Sequence, residues 1–388
     1  MQLTLRHQLM QFSHTLQQGL FPVVEEAVGE LGAAARLLVA IINMTPLRRF
    51  IPMAQGWKGR PQKDRYAIAC AFLAKAAYNM PTTSSLIQRL KDDEQLRRLC
   101  GWLRIEQIPH ECTFSRAFAE FAAMELGQFV HEGLIRETQS QRLVGHIARD
   151  STAITARERF PETKPKAVPT ESEPRKKSSP RGRKIKPRKM RGGRLVRVGP
   201  PTRLKRQRSM ALPQMLAELS RECSIGVKSS SSGYSRYWRG YKLHLDVADG
   251  QIPISAVLTG ASVHDSQVAI PLATITAQRV TSLYDLMDSA YDAYEIIEHS
   301  RSLGHVPIIT PRSARGSKNV IVRTLPRQLS WAEQQRFRER TMVERVYSRL
   351  KDEFGGRNIR VRGARKVMAH LMFGLLALTV DQLLRLSG

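Results

Sequence analysis

The chain has 388 residues, enough for two or three domains or for one large domain with insertions. Hydrophobic residues make up 42%, which excludes wholesale disorder. Lys and Arg number 62 against 34 Asp and Glu, and the resulting +28 points to a polyanionic partner, nucleic acid ahead of a membrane surface. The four cysteines, Cys70, Cys100, Cys112 and Cys223, contain no C-x-x-C pair, so a reducing cytosol is expected rather than a disulfide framework. The grouping Cys100, His110, Cys112 matches no common zinc spacing and reads as buried thiols.

The N-terminal MQLTLRHQLMQFSH lacks the apolar core of a signal peptide. Residues 1–138 read as helical throughout. Pro61 suits a first helical turn, and RYAIACAFLAKAAYNM after it carries apolar positions at helical spacing. Thr82 and its neighbours stop that helix and cap SLIQRLKDDEQLRRL. A further helix follows Thr113, FSRAFAEFAAMELGQFVHEGLIRET, so a helix-turn-helix and plain helical packing are both open.

From Leu143 the pattern turns to strand, with LVGHIARD ending on Asp150. Residues 157–210 then hold 20 Lys/Arg, 4 Asp/Glu and 8 Pro with one aromatic, a composition that cannot bury enough apolar area to offset its ordering entropy. A basic, disordered insert is therefore expected, reaching to about residue 235. Strands resume in YKLHLDV and IPISAVLT, separated by the hairpin signal Asp249-Gly250. A helix around HDSQVAIPLATI, a strand SLYDLMD, a helix DAYEIIEHSRSLG and a strand HVPIIT follow. One long helix from Trp331 to Phe354 and a terminal apolar helix complete the chain. The apolar stretch from His370 to Val380 is too short to span a bilayer and reads as a core helix. The expected fold class is α/β: a mixed sheet flanked by helices over residues 139–388, interrupted by the insert at 157–235 and preceded by an all-α domain over 1–138.

Asp150 and Asp288 stand at the ends of predicted strands, where ligands gather in α/β sheets, although a strand-terminal Asp is commonly a turn or cap residue. On the long helix, Phe337, Arg340, Glu344 and Lys351 fall within an arc of roughly 60° at 100° per residue. Beside them Val343, Val346, Tyr347, Leu350 and Phe354 form an apolar stripe. A solvated charged face explains the arc as an isolated feature. Acids kept at element ends in a strongly basic protein instead suggest divalent-metal chemistry on a phosphodiester, since Mg²⁺ takes carboxylate oxygens and keeps several waters.

Asp150 in HIARDSTAI, the block GYKLHLDVADGQIPISAVLTGASVHDS, Asp288 in DSAYDA and RTMVERVYSRLK together resemble the insertion-sequence DDE transposases, closest to their four/five-like groups. The family's signature of Tyr, two residues, Arg, three residues, Glu, six residues and Lys reads here as Phe337, Arg340, Glu344 and Lys351. LRRLCGW and ECTFSRAF extend the likeness into residues 61–125. Phe337 in place of tyrosine and Ala290 in place of the usual glycine after the second Asp are departures, and the unusually long basic insert between the first Asp and the hairpin is the feature the resemblance accounts for least. The resemblance implies an RNase H-like core and a catalytic triad of Asp150, Asp288 and Glu344 holding two Mg²⁺ ions, which Mn²⁺ could replace. DNA would be gripped by Arg340, Lys351 and Phe337, and by the insert through Lys176, Lys177, Arg183, Lys184, Lys186, Arg188, Lys189 and Arg191. Asp265 and Asp292 match family positions and read as structural.

The implied activity is cleavage at the ends of the element and joining of the 3′-hydroxyl to target DNA. The partners would be terminal inverted repeats and target duplex, with a homodimer bringing two ends together and no membrane. A bacterial, cytoplasmic and nucleoid-associated location follows from the same resemblance. A nuclease with the same core and a silent DNA-binding protein are the alternatives, and an intact acidic triad is of no use to the second.

Overall fold

The computed structural model describes residues 10–11, 14–51, 63–158, 188–191, 194–197, 201–229, 234–311 and 329–387. Its N-terminal part is helical, as the periodicity predicts: α1 (Phe21–Val28), α2 (Ala33–Met44), a single turn Leu47–Phe50, α3 (Arg65–Ala77), α4 (Thr83–Asp92), α5 (Glu94–Leu99), α6 (Glu111–Ala123) and α7 (Leu126–Gln139). Pro61 lies outside the described residues. Asp64 caps α3, its carboxylate accepting from Tyr66 N at 2.8 Å, and Thr82 caps α4 through Ser85 N at 2.9 Å. Two helices that read as continuous are each broken. Asp93 starts α5 by accepting from Leu96 N at 2.9 Å, and Glu125 separates α6 from α7 with a left-handed φ of 54°.

The sheet begins with β1 (Leu143–Thr155). After a two-stranded hairpin, β2 (Arg188–Arg191) and β3 (Arg194–Arg197), come the short helices α8 (Arg203–Gln207) and α9 (Leu212–Ala217). Then follow β4 (Ser224–Ser229), β5 (Ser235–Ala248), β6 (Ile252–Gly260), α10 (Ser266–Ala277), β7 (Thr281–Met287), α11 (Tyr294–Ser302) and β8 (Val306–Ile309). β5 pairs antiparallel with β1, β4 and β6, whereas β1–β7 and β7–β8 are parallel. The order β4-β5-β1-β7-β8, with β6 also on β5, is the mixed sheet expected, and helices flank it. The Asp249-Gly250 hairpin forms with positive φ at Gly250 (81°) and Gln251 (61°).

The basic segment is shorter than its composition implied. Residues 201–229 fold: Gln207 is fully buried and donates to Gln267 O at 2.9 Å, and Met215 packs with Ile270, Met287 and Tyr291. A few apolar or amide side chains at the right places anchor a stretch whose average composition is that of a coil. Of the insert's predicted DNA-binding residues, Arg188, Lys189 and Arg191 belong to β2, while Lys176, Lys177, Arg183, Lys184 and Lys186 lie outside the described residues.

The predicted long helix is interrupted. It runs as α12 (Trp331–Phe337), a 3₁₀ turn Arg338–Arg340 and α13 (Thr341–Asp352). The terminal helix α14 (Ala364–Ser387) has 24 residues, so it exceeds the apolar stretch read from sequence and has the length and composition to cross a membrane. However, 83% of its apolar window is covered by the protein itself. It packs on α2, α3, α6 and α7 and also on β6. One hydrophobic core therefore runs from Ile68 and Phe114 through Leu375 to Leu245 and Val343, across the boundary expected near residue 138.

Candidate active site

β1 outruns β7. Its parallel pairing reaches Ala148 opposite Leu286, and β7 ends at Met287. Two residues further along the same register stand Asp150 and Asp288, on neighbouring strands at one level, where the ladder stops and a crevice opens. Asp150 is thus in mid-strand, since β1 continues to Thr155 against β5, and not at a strand end as LVGHIARD suggested. Asp288 caps the 3₁₀ turn Ser289–Tyr291, its Oδ1 accepting from Ala290 N at 2.8 Å.

α13 crosses this crevice with its apolar stripe inward: Met342, Val343, Val346, Tyr347 and Leu350 are buried. Glu344 is left on the open side. Arg340 joins the two elements, donating from Nη2 to Glu344 Oε1 at 2.8 Å and from Nη1 to Asp150 Oδ2 at 3.3 Å. The Phe337 ring is half-buried with the Arg340 guanidinium 5.8 Å from its centroid. Lys351 reaches back to β1, donating to Thr152 Oγ1 at 2.6 Å, one alternation beyond Asp150 on the same face. The four residues of the predicted arc therefore do line one edge, despite the 3₁₀ break among them.

Sequence reading undervalued three features. Tyr347, assigned to the apolar stripe, donates its hydroxyl to Asp150 O at 2.6 Å and accepts from Leu245 N at 3.1 Å, at the level where Asp150 faces Leu245. Behind the sheet, Arg149 forms a buried bidentate pair with Asp246 at 2.8 and 2.7 Å. Asp265, read as structural, accepts from Ser151 Oγ at 2.9 Å and Lys242 Nζ at 3.0 Å. Only alternation hints at these pairings, because most of them join residues about a hundred positions apart. Asp292 closes the 3₁₀ turn that Asp288 opens.

The site carries more negative charge than its immediate partners neutralise. Burial pushes Asp150 up to about 6, reinforced by the charges of Asp288 and Asp265 and opposed by Ser151 N–H and Arg340. Burial would also raise Asp265, but His244 and Lys242 together with the hydrogen bonds from Lys242 and Ser151 hold it below the usual range. Among the described residues no three His, Cys, Asp or Glu side chains are gathered closely enough to share an ion, and Arg340 stands between Asp150 and Glu344. The donor set is nonetheless the right chemistry for a hard divalent cation: carboxylate oxygens, one of them on the half-buried Asp150 under like-charge pressure. Cys100 is a buried thiol as expected, whereas Cys112 is exposed at the start of α6, its Sγ 3.2 Å from His110 Nδ1.

Two family models match the chain. Residues 203–380 match the transposase DDE domain, and residues 24–120 match a transposase domain of the DUF772 type. The chain belongs to the insertion-sequence DDE transposases. No curated protein matches it. Asp288 and Glu344 lie inside the DDE match, whereas Asp150 precedes it, on the far side of the basic segment. Membership makes the sheet an RNase H-like core and the protein an enzyme of the transposase and nuclease type that acts on DNA. The family in general uses divalent metal ions.

Proposed function

We propose that this transposase cuts DNA at the ends of its insertion sequence and joins the freed 3′-hydroxyl to a target phosphodiester, with Asp150, Asp288 and Glu344 as the acidic triad. The observation that carries this reading is the coincidence, at the open end of β7, of Asp150, Asp288 and the guanidinium that ties Asp150 to Glu344. These acids are far apart in sequence, on two neighbouring strands and a crossing helix. Their carboxylates would hold Mg²⁺, or Mn²⁺ in its place, as a pair of ions. Such ions, when bound, activate the attacking oxygen and stabilise the leaving one.

The chain's own residues then divide the work. Arg340 balances Asp150 and Glu344 while no cation does so, and on release it can grip a DNA phosphate bidentately. Lys351 acts as a point charge on the same strand of DNA, and the Phe337 ring offers a stacking surface. Tyr347 fixes the backbone of Asp150, so the carboxylate is aimed before substrate arrives. The basic run with Lys176, Lys177, Arg183, Lys184, Lys186, Arg188, Lys189 and Arg191 binds phosphates without regard to sequence. Four/five-like subgroup membership, and a homodimer that pairs two element ends in the cytoplasm, complete the reading.

The test is an in-vitro reaction with labelled element ends, Mg²⁺ or Mn²⁺, and a supercoiled target. Cleaved ends joined to target support the proposal. Cleavage without joining favours a nuclease, and binding without cleavage favours a silent DNA-binding protein.

A further inference from the structure

Between the end of α3, the start of α6 and the segment 358–370 lies a cavity of about 460 Å³, away from the acidic crevice. Lys75, in the last turn of α3, lines it and is only 8% exposed. Its ammonium has no ion pair or hydrogen-bond partner among the described residues. Its neighbour His370 offers no negative charge: burial, then the Lys75 charge, push that imidazole down to about 4, and its Nε2 lies 2.9 Å from Gly355 O. Burial with no opposing acid lowers Lys75 to about 8. A buried cation left without an anion is costly, and proteins keep few of them.

The mouth of the cavity repeats the imbalance. Arg157, Arg360, Arg362 and Lys366 line it, and none has an ion-pair partner among the described residues. The lining itself holds one carboxylate, Glu111, which accepts from Ser84 Oγ at 3.0 Å, while Glu158 beside Arg157 is engaged by Tyr241 and by Gly363 N, leaving four cations against two acids. α14 also begins at this rim, at Ala364, where Glu158 Oε1 already accepts from Gly363 N at 2.6 Å, so its N-terminal charge is met within the chain and the four side chains supply the imbalance.

We propose that this cavity receives a backbone phosphate of the bound DNA, seated on Lys75 and enclosed by Arg157, Arg360, Arg362 and Lys366. The inference rests on the DNA reading above and adds a second anchoring point to it. The path from the acids favours a DNA strand over a free anion. Arg157 follows Asp150 by seven residues, just beyond β1, so it lies about 23 Å away at roughly 3.3 Å per residue, and Lys351 is stationed between them on Thr152. That span corresponds to about seven base pairs at about 3.4 Å rise. Arg157 is also where the basic segment begins in the sequence, so the chain passes directly from a residue of the cavity's rim into its most strongly charged stretch.

The experiment measures the affinity of the full chain for a labelled element-end duplex by fluorescence anisotropy across a salt series, for wild type, Lys75→Met and the double variant Arg360→Ala/Arg362→Ala. A second duplex carries a neutral methylphosphonate about seven base pairs from the scissile bond, and inorganic phosphate serves as competitor. We expect each variant to bind roughly three- to tenfold more weakly, with the slope of log K against log salt flatter by about 0.9 for each phosphate no longer neutralised. The methylphosphonate should weaken wild type and leave Lys75→Met unchanged. The double variant, whose side chains are at the surface, keeps the test alive if Lys75→Met fails to fold. Wild-type affinity and slope in the variants would overturn the proposal, as would protection of the fold by inorganic phosphate through Lys75 with no change in DNA affinity. A wild-type protein that binds no duplex would overturn the DNA reading together with it, whereas binding that is insensitive to these variants overturns the cavity alone.

Discussion

Asp150 is held by Tyr347 at its carbonyl, by Ser151 N–H at 2.7 Å and by Arg340 at its carboxylate. Of these, the Arg340–Glu344 pair is legible from i, i+4 spacing alone, and Arg340–Asp150 is not, because it joins positions 190 apart. Tyr347 was readable as a buried ring, and at 6% exposure it is one. Its hydroxyl chemistry was hidden, since nothing local says that β1 and β5 present Asp150 O and Leu245 N to it. Tyr347→Phe keeps the ring and leaves those groups short of a partner, so it should cost about 1–2 kcal/mol in a denaturant titration. The same variant should cleave element ends at least roughly tenfold more slowly in single turnover, with DNA affinity unchanged, because the aim of Asp150 is disturbed and the cationic surface is not. Wild-type cleavage would show that the hydroxyl is only a packing detail.

At the level of elements, strands and helices were mostly readable and their ends were not. Alternation located YKLHLDV, IPISAVLT and SLYDLMD, and the Asp249-Gly250 turn set their hairpin. β1 was cut short at Asp150 because its continuation, STAIT, is polar, yet β5 supplies the whole ladder to Thr155. The helix from Trp331 broke at Arg338–Arg340 because a periodicity argument cannot see a tightened turn. Average composition likewise masked the anchors Gln207 and Met215, both within the coil expected to reach residue 235, which attach α8 and α9 to α10 and the crevice floor. Met215 is 5% exposed, so Met215→Ala should lower stability by about 2–4 kcal/mol, measured as a shift in the denaturation midpoint. A shift near zero would mean that this stretch contributes no packing and that the expectation of a coil held after all.

For the molecule as a whole, the continuous core has a consequence for acid stability. His131 and His244 are 0% and 1% exposed, and burial, acting ahead of nearby charges, pushes them down to about 3 and about 4. Unfolded, each titrates near 6.5, so below that pH the unfolded chain binds protons that the folded one refuses. Their contribution is intact above about pH 6.5 and is lost as the pH falls toward the folded values, by roughly 2 kcal/mol per histidine at pH 5. Thermal melts should therefore fall steeply between pH 7 and 5, and His131→Gln should reduce that fall; an unchanged pH dependence in the variant would remove His131 from the account. The central claim is about the acids. It is tested most directly by single-turnover cleavage of pre-bound element-end DNA in Mg²⁺ by Asp150→Asn, Asp288→Asn and Glu344→Gln, with affinity for the same DNA measured alongside. The account predicts that each variant loses cleavage by at least about a hundredfold while binding DNA at least as tightly, since a repelling charge has been removed. Cleavage by any one of them within about tenfold of wild type would contradict it.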